Sequence, residues 1–464
     1  VWFRRDLRLE DNPAWSDATR DGCVVALYVI DPVPWATAGT HRRDLLLGHL
    51  AQLDLALRAL GGSLLVLHGP PQRVVPGVAR RLGAGRVVAN ADVTAYARRR
   101  DDAVRAALGN VRLDTHWGNF VHPPGSIHPR GSARVHQVFT PFHRAWSSRP
   151  MEPWPAPQDA EVLDAAGAVD AGPRPAPEAT PVMAPGADAA AERLVAWTAE
   201  VDRYDERRDR PDDPTGTSKL SADLRWGTID PRRVVEVVGT STPSRAAFVR
   251  QLAWRDWYAH LFADRPELAR EPMRANMARL DWRDDPEELA AWCEGRTGYP
   301  IVDAGMRELA ATGWMHNRVR MIVASFLTKD LLVHWHRGEA HFRRLLVDAE
   351  VSQNAGNWQW VAGTGPDAAP FFRVFNPVTQ ARRFDPDGTY VRRWVPELAG
   401  LAAPGIHAPW ELGPLELAAA GVTLGAEYPA PIIDHAAARD RALASFQASR
   451  EVAATGDDGP PRRR

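Results

Sequence analysis

The chain has 464 residues, of which 45% are hydrophobic and 25% charged, and its formal net charge is −1. At roughly 150 residues per domain this length predicts two to three domains and excludes a disulfide-stapled miniprotein, while the composition excludes a wholly disordered chain or a membrane bundle. The near-zero charge announces no nucleic-acid partner, so a basic face, if there is one, must be local.

No apolar run approaches the roughly 20 residues of a membrane helix. The only cysteines, Cys23 and Cys293, are far apart, which argues against a disulfide framework or a Cys-based zinc site and fits a reducing cytoplasm. In chain order, Val1–Phe3, Val24–Ile30, Leu64–Leu67 and Val87–Ala89 read as short buried strands, and the first of them does not resemble a signal peptide. Arg43–Leu60, Val74–Leu82 and Thr94–Leu108 carry apolar residues at helical spacing. This alternation predicts an α/β N-terminal domain over 1–130 with a doubly wound parallel sheet, whose ligand would lie beyond the carboxyl ends of the strands. The segment after the first strand, RRDLRLEDNPA, lacks GxGxxG, so a standard dinucleotide site is disfavoured there.

Pro150–Pro185 turns to Ala, Pro and Gly, with nine prolines, and reads as the body of an interdomain connection over 131–187. From 188 to 450 the pattern is helix broken by Pro or Gly, which predicts a larger all-α domain. Residues 451–464, ending GDDGPPRRR, read as a disordered tail.

Two features of composition stand out. Lys219 and Lys329 are the only lysines among 57 basic residues, a bias typical of a GC-rich genome and weak evidence of function. There are 18 Trp, nine of them between Trp226 and Trp360, and filling of a helical core is the default account. However, Tyr204–Arg232, Gln251–Tyr258, Thr297–Met321 and Asn354–Trp360 place Trp, Arg and Asn together on helices that ought to be partly buried. Buried polar groups need partners, and a large flat ligand with many acceptors would supply them.

These segments, with VWFRRDLRLEDNPA at the start and FNPVTQARRFDPDGTYVRRWVPEL at Phe375–Leu398, resemble the DNA photolyase/cryptochrome family, and most closely its bacterial cyclobutane pyrimidine dimer photolyases. The resemblance covers nearly the whole chain outside Pro150–Pro185 and the tail. It implies an α/β antenna domain, a helical domain that holds FAD, and electron transfer from photoexcited reduced flavin to a dimer in damaged DNA, with the cofactor carrying the chemistry.

By that resemblance Thr217, Ser218, Leu220 and Ser221 form the turn that binds the FAD pyrophosphate, and Tyr204 lies on the adenosine side. A helix start suits phosphate because its N–H groups are unpaired and its dipole is favourable. Asn317, Arg320, Asp348 and Asn354 would surround the flavin ring, with Arg320 and Asp348 as a buried pair, and Gln251 and Arg255 join the cofactor set. Glu350 stands where the family usually has Asp. Plant cryptochromes typically place Asp at the position of Asn354, so the amide favours the repair branch.

Positions 251, 254, 255 and 258 share a helix face. Trp254 and Trp360 resemble the opposing walls of the lesion pocket, where stacking would help to offset extrusion of the dimer. Gln251 replaces the Glu common in dimer photolyases and can still hydrogen-bond pyrimidine carbonyls. Trp358, Trp335 and Trp282 match the family's electron-transfer chain from flavin to surface, and Arg208, Arg318 and Met321 match the pocket's rim or wall. Asp31, Arg42, Asp92 and Arg225 match contacts to an 8-hydroxy-5-deazaflavin antenna, which is preferred here to FMN or methenyltetrahydrofolate. The bland alternatives are an ordinary helix cap, a structural ion pair, core tryptophans and exposed charges.

The expectation is therefore an FAD-dependent, light-driven enzyme acting on damaged DNA, cytoplasmic and monomeric, with no membrane or metal. A cryptochrome-like photoreceptor, a (6-4) photoproduct photolyase and a flavin-free nucleotide- or DNA-binding module are the alternatives.

Overall fold

The computed structural model describes residues 1–169, 175–274, 277, 280–366 and 373–454, with side chains up to Ser449. The predicted tail lies outside the described residues from 455 onward, and its first four residues continue the helix His435–Ala454.

Seven strands are described: β1 (Trp2–Phe3), β2 (Cys23–Val24), β3 (Ala26–Ile30), β4 (Leu64–His68), β5 (Arg86–Asn90), β6 (Arg112–His116) and β7 (Glu161–Val162). All pair in parallel, in the ladders β1-β3-β4, β2-β7 and β5-β6. The register sets Phe3 beside Tyr28 and Ile30 beside His68. Helices Thr40–Ala59, Pro71–Arg81 and Ala95–Leu108 form the crossovers between β3, β4, β5 and β6.

Successive strand residues point to opposite faces, and here both faces are buried. Phe3, Tyr28, Ile30, Leu64, Val66 and Val88 join one core with Leu45, Leu46, Leu50 and Leu53 of the first crossover helix. Trp2, Leu27, Val29, Leu65, Leu67, Val87 and Ala89 join a second core with Val75, Val78, Val104 and Leu108 of the other two. Helices on both sides explain why these strands read as continuous apolar runs, and they make the sheet doubly wound as expected.

Two strands were not foreseen. The β6 segment RLDTH is polar because Asp114, with Asp17 and Asp21, binds Arg86. In the Pro-rich connection, β7 pairs with β2 and buries Val162. Further along, Asp44 accepts the backbone N–H groups of Glu178 and Ala179, and His49 Nδ1 accepts that of Gly186 at 2.9 Å. The stretch is pinned at several points rather than lying loose over the surface.

After β7 every regular element described is helical. The chain divides into two compact units, one of Val1–Asp205, Thr217–Glu267 and Val347–Gln353, the other of Glu206–Gly216, Leu268–Leu346 and Asn354–Arg464. Residues 188–205 and 217–267, expected with the helical domain, thus group with the α/β region.

Candidate functional site

In the first unit, the opening motif bolts β1 to its surroundings. Arg4 binds both carboxylate oxygens of Asp101 at 2.7 Å, and Arg8 donates to the carbonyls of Gly227 and Gly118 at 2.9 and 2.7 Å. Leu7 N–H reaches Trp226 O at 3.1 Å, and Gly227 sits so close, at φ +64°, that a Cβ there would collide with the Arg5 carbonyl.

Beyond the strand ends lies a cleft with about 790 Å³ of empty volume, including space open to solvent. Asp31, Arg42, Asp92 and Arg225, carried over separately from the resemblance, all line it. Asp31 caps the helix Pro32–Ala36 through Val33 N–H at 3.1 Å and accepts the Tyr96 hydroxyl. Arg42 is buried and donates to Thr37 O. Asp92 binds Arg5 at 2.9 Å and Thr94 N–H at 3.0 Å; burial opposes its charge, but Arg5 and these bonds hold its carboxyl well below the usual range.

Arg225 donates Nε to Ala349 O at 2.6 Å and lies 4.4 Å from the Trp226 ring. Burial, aided by the cations of Arg5 and Arg42, lowers its pKa to about 9. The cleft also contains Arg4, Arg5, Arg43, Arg100, Trp2, Trp35 and Tyr96. The sequence singled out none of these as a contact residue, although the stretch from Asp92 to Arg100 resembles the deazaflavin-binding branch and the double arginine after β1 stands in the opening motif. Six guanidinium groups face Asp31 and Asp92, with Asp101 behind Arg4 and Arg100 and Glu350 behind Arg5, so cations still exceed carboxylates and the cleft suits an anion with a flat ring.

The predicted pyrophosphate turn precedes the helix Ser221–Trp226, with Lys219 at φ +54° and Ser218 Oγ accepting Leu220 N–H at 3.3 Å. The N-cap residue of this six-residue helix, Leu220, makes no side-chain cap bond. Thr217 and Ser218 are half-buried, Leu220 buried and Ser221 exposed. Tyr204 is buried with its ring edge-on to Trp197 and Phe248.

On the helix Pro243–Asp264, Trp254 stacks on Phe139 with ring centroids 3.8 Å apart. Gln251 spends its Nε2 on Ala247 O at 3.0 Å. Arg255 donates to Asn119 O and Leu224 O at 2.6 and 3.2 Å and faces Glu350 at 3.3 Å. Glu350 also binds Arg5 at 2.7 Å. Burial would raise the Glu350 pKa, but the two arginines keep it low. Arg255 and Glu350 are thus engaged by protein groups, and Asp348 is buried in the same unit.

In the second unit, Asn317 and Met321 lie one turn apart on the helix Asn317–Ser325, with the amide 3.9 Å from the Met321 sulfur. Arg320 Nε donates to Met315 O at 2.8 Å. Arg318 binds Asp209 at 2.7 Å and covers Phe384, while Arg208 is half-buried. Asn354 donates Nδ2 to both the carbonyl and a carboxylate oxygen of Glu339 at 2.9 Å, which fixes the amide's orientation and directs its carbonyl oxygen elsewhere. An amide held in this way suits the polar edge of a heteroaromatic ring.

Trp358 is buried against Phe342 at 5.0 Å, and a Cβ on Gly338 would collide with its indole. Gly338 and Phe342 belong to the helix that begins at Trp335. Trp335 is buried and stacks on His334, which in turn contacts half-buried Trp282 at 5.1 Å. His334, unnoticed in the sequence, bridges two of the three predicted electron carriers. Trp360 is half-buried.

Comparison with known proteins matches residues 1–158 to the DNA photolyase family and 248–448 to the FAD binding domain of DNA photolyase. The deoxyribodipyrimidine photo-lyase of Streptomyces griseus is 42% identical over 95% of this chain and 97% of its own length. That of Halobacterium salinarum is 40% identical over 97% and 98%. The crystal structure of a bacterial class III photolyase from Agrobacterium tumefaciens superposes with a TM-score of 0.85 at 37% identity, covering 97% of each chain. Similarity along nearly the whole length, together with an α/β domain bearing a cationic cleft and a helical FAD-binding domain, establishes that the chain belongs to the DNA photolyase family.

Proposed function

We propose that this chain is a light-driven deoxyribodipyrimidine photo-lyase that binds damaged DNA and splits cyclobutane pyrimidine dimers. The observation that carries the reading is the Trp254–Phe139 stack on the same helix as Gln251, within a chain similar to deoxyribodipyrimidine photo-lyases along nearly its full length. Reduced FAD, when bound, supplies the light-driven electron.

The chain's residues bind and orient. Thr217, Ser218, Leu220 and Ser221 hold the pyrophosphate, Tyr204 the adenosine side, and Asn317, Arg320, Asp348 and Asn354 the ring. Arg255 acts from behind by holding Leu224 O, on the helix that follows the pyrophosphate turn, and Glu350 holds Arg255. Trp254 and Trp360 each offer an indole on which an extruded base stacks, and Gln251 offers its amide to the base carbonyls. Arg208, Arg318 and Met321 form the rim, where contacts to phosphate position DNA without reading its sequence. Trp358, Trp335 and Trp282 conduct electrons inward from the surface.

The cleft takes 8-hydroxy-5-deazaflavin as antenna in preference to FMN or methenyltetrahydrofolate; the excess of guanidinium groups supports an anionic chromophore. No described helix is long and apolar enough to cross a membrane. We assign the enzyme to the cytoplasm as a monomer.

Light-dependent repair of defined cyclobutane and (6-4) lesions by the reduced protein tests the assignment. Repair of the cyclobutane lesion alone is expected. Failure on both would make the chain a photoreceptor, and repair of only the (6-4) lesion would overturn the substrate.

A further inference from the structure

A line of buried ions runs from the cationic cleft to the segment that carries Asp348 and Glu350. Arg5 lies at its centre, with one Nη 2.9 Å from Asp92 in the cleft wall and the other 2.7 Å from Glu350. Glu350 passes the line on to Arg255 at 3.3 Å, on the helix of Gln251 and Trp254. A second link runs beside it, because Arg225 lines the cleft and donates Nε to Ala349 O at 2.6 Å. The remaining Nη1 of Arg225 is buried without an acceptor in the protein.

We infer that Arg5 and Arg225 are positioning residues that couple an anionic chromophore in the cleft to the placement of residues 347–353, so that the two chromophores bind cooperatively. The inference rests on the assignments of the cleft to an antenna and of Asp348 to the flavin ring.

The physical basis is charge balance. Six arginines line the cleft against Asp31, Asp92 and the two carboxylates that pair with them from behind, Asp101 and Glu350, so cations still outnumber carboxylates, and an anion relieves repulsion there and offers Arg225 Nη1 an acceptor. Burial and the cations of Arg5 and Arg42 disfavour the charge of Arg225 without removing it, and an anion beside it offsets that cost. Arg225 is then held between the anion and Ala349 O, while Arg5 is freer to serve Glu350. Because Glu350 and Arg255 are buried and Arg5 and Asp92 are each only 16% exposed, water and salt screen them less than surface charges. Both links end within one short segment, so a change at the cleft is felt at Asp348.

The test dilutes the holoenzyme to equilibrium with and without saturating 8-hydroxy-5-deazaflavin and reads released FAD by its fluorescence. The FAD Kd should fall about tenfold with the antenna present, and the deazaflavin Kd should fall by the same factor when FAD is bound. Glu350→Gln and Arg225→Met should each reduce the factor below about twofold, whereas Glu350→Asp, which keeps the charge, should retain part of it. Circular dichroism melting shows which variants are folded, and the wild-type factor stands as a test by itself. Equal FAD Kd with and without deazaflavin, or coupling unchanged in the folded variants, would overturn the inference. Absence of deazaflavin binding to wild type would refute the antenna assignment and the coupling with it. Absence of FAD binding would instead refute the flavin assignment.

Discussion

Trp254 lies flat on Phe139, with ring centroids 3.8 Å apart and planes 12° from parallel. One indole face is therefore backed by protein, and a base that stacks on Trp254 does so against a stiff two-ring platform. Trp254→Ala should weaken binding of dimer-containing DNA by about 1–3 kcal/mol while leaving FAD retention intact. Phe139→Ala should give a smaller loss of about 0.5–1.5 kcal/mol. Titrations with damaged and undamaged duplexes measure both. A greater loss for Phe139→Ala than for Trp254→Ala would contradict the platform.

Trp335→Phe removes the middle carrier but keeps a ring of similar shape beside His334. Photoreduction of oxidised flavin should slow at least tenfold, whereas repair by chemically reduced enzyme should stay near wild type. Flash photolysis and lesion-repair assays separate the two. Equal loss in both would break the assignment of Trp358, Trp335 and Trp282 as a wire.

Gly338→Ala puts a methyl group into the space of the Trp358 indole and Leu327. Overpacking of this kind costs about 1–3 kcal/mol. The variant should melt earlier, and its photoreduction should change as Trp358 is displaced. A variant as stable as wild type would show that the indole has room to move.

His49 is buried, and its pKa is lowered to about 3 by burial and by the Arg193 charge. Its Nδ1 must stay unprotonated to accept Gly186 N–H. The unfolded chain takes up this proton near pH 6.5 and the folded chain does not, so stability is lost as pH falls below 6.5 towards 3. The contribution approaches about 1.4 kcal/mol per pH unit. His49→Asn keeps an acceptor that does not titrate, and its denaturation free energy should fall less steeply between pH 6.5 and 4.5. Parallel curves for the two proteins would exclude His49 as the source.

Much of the fold was legible because burial on both sheet faces leaves an unbroken apolar run, as in ALYVI and LLVLH. The strand RLDTH escaped because it buries only Leu113 fully and its Asp114 serves Arg86, which leaves no apolar run. Glu161–Val162 escaped because two residues carry no periodicity. For the cleft, the resemblance pointed to four lining residues but not to Arg5, whose importance arises from two carboxylates distant in sequence, Asp92 and Glu350. Likewise, nothing local in VHWH announces that His334 touches both Trp335 and Trp282.

The pairing of Glu161–Val162 with Cys23–Val24 limits how the protein can be taken apart. Val162 also fills the space over Gly62, where any Cβ would strike it. An excised N-terminal α/β module that stops at residue 130 would expose the edge of β2 and unseat both Gly62 and His49, so chimaeras that exchange N-terminal halves must carry the donor sequence through Gly186. Limited proteolysis within the Pro-rich stretch should accordingly leave a nicked but associated protein rather than two separate fragments.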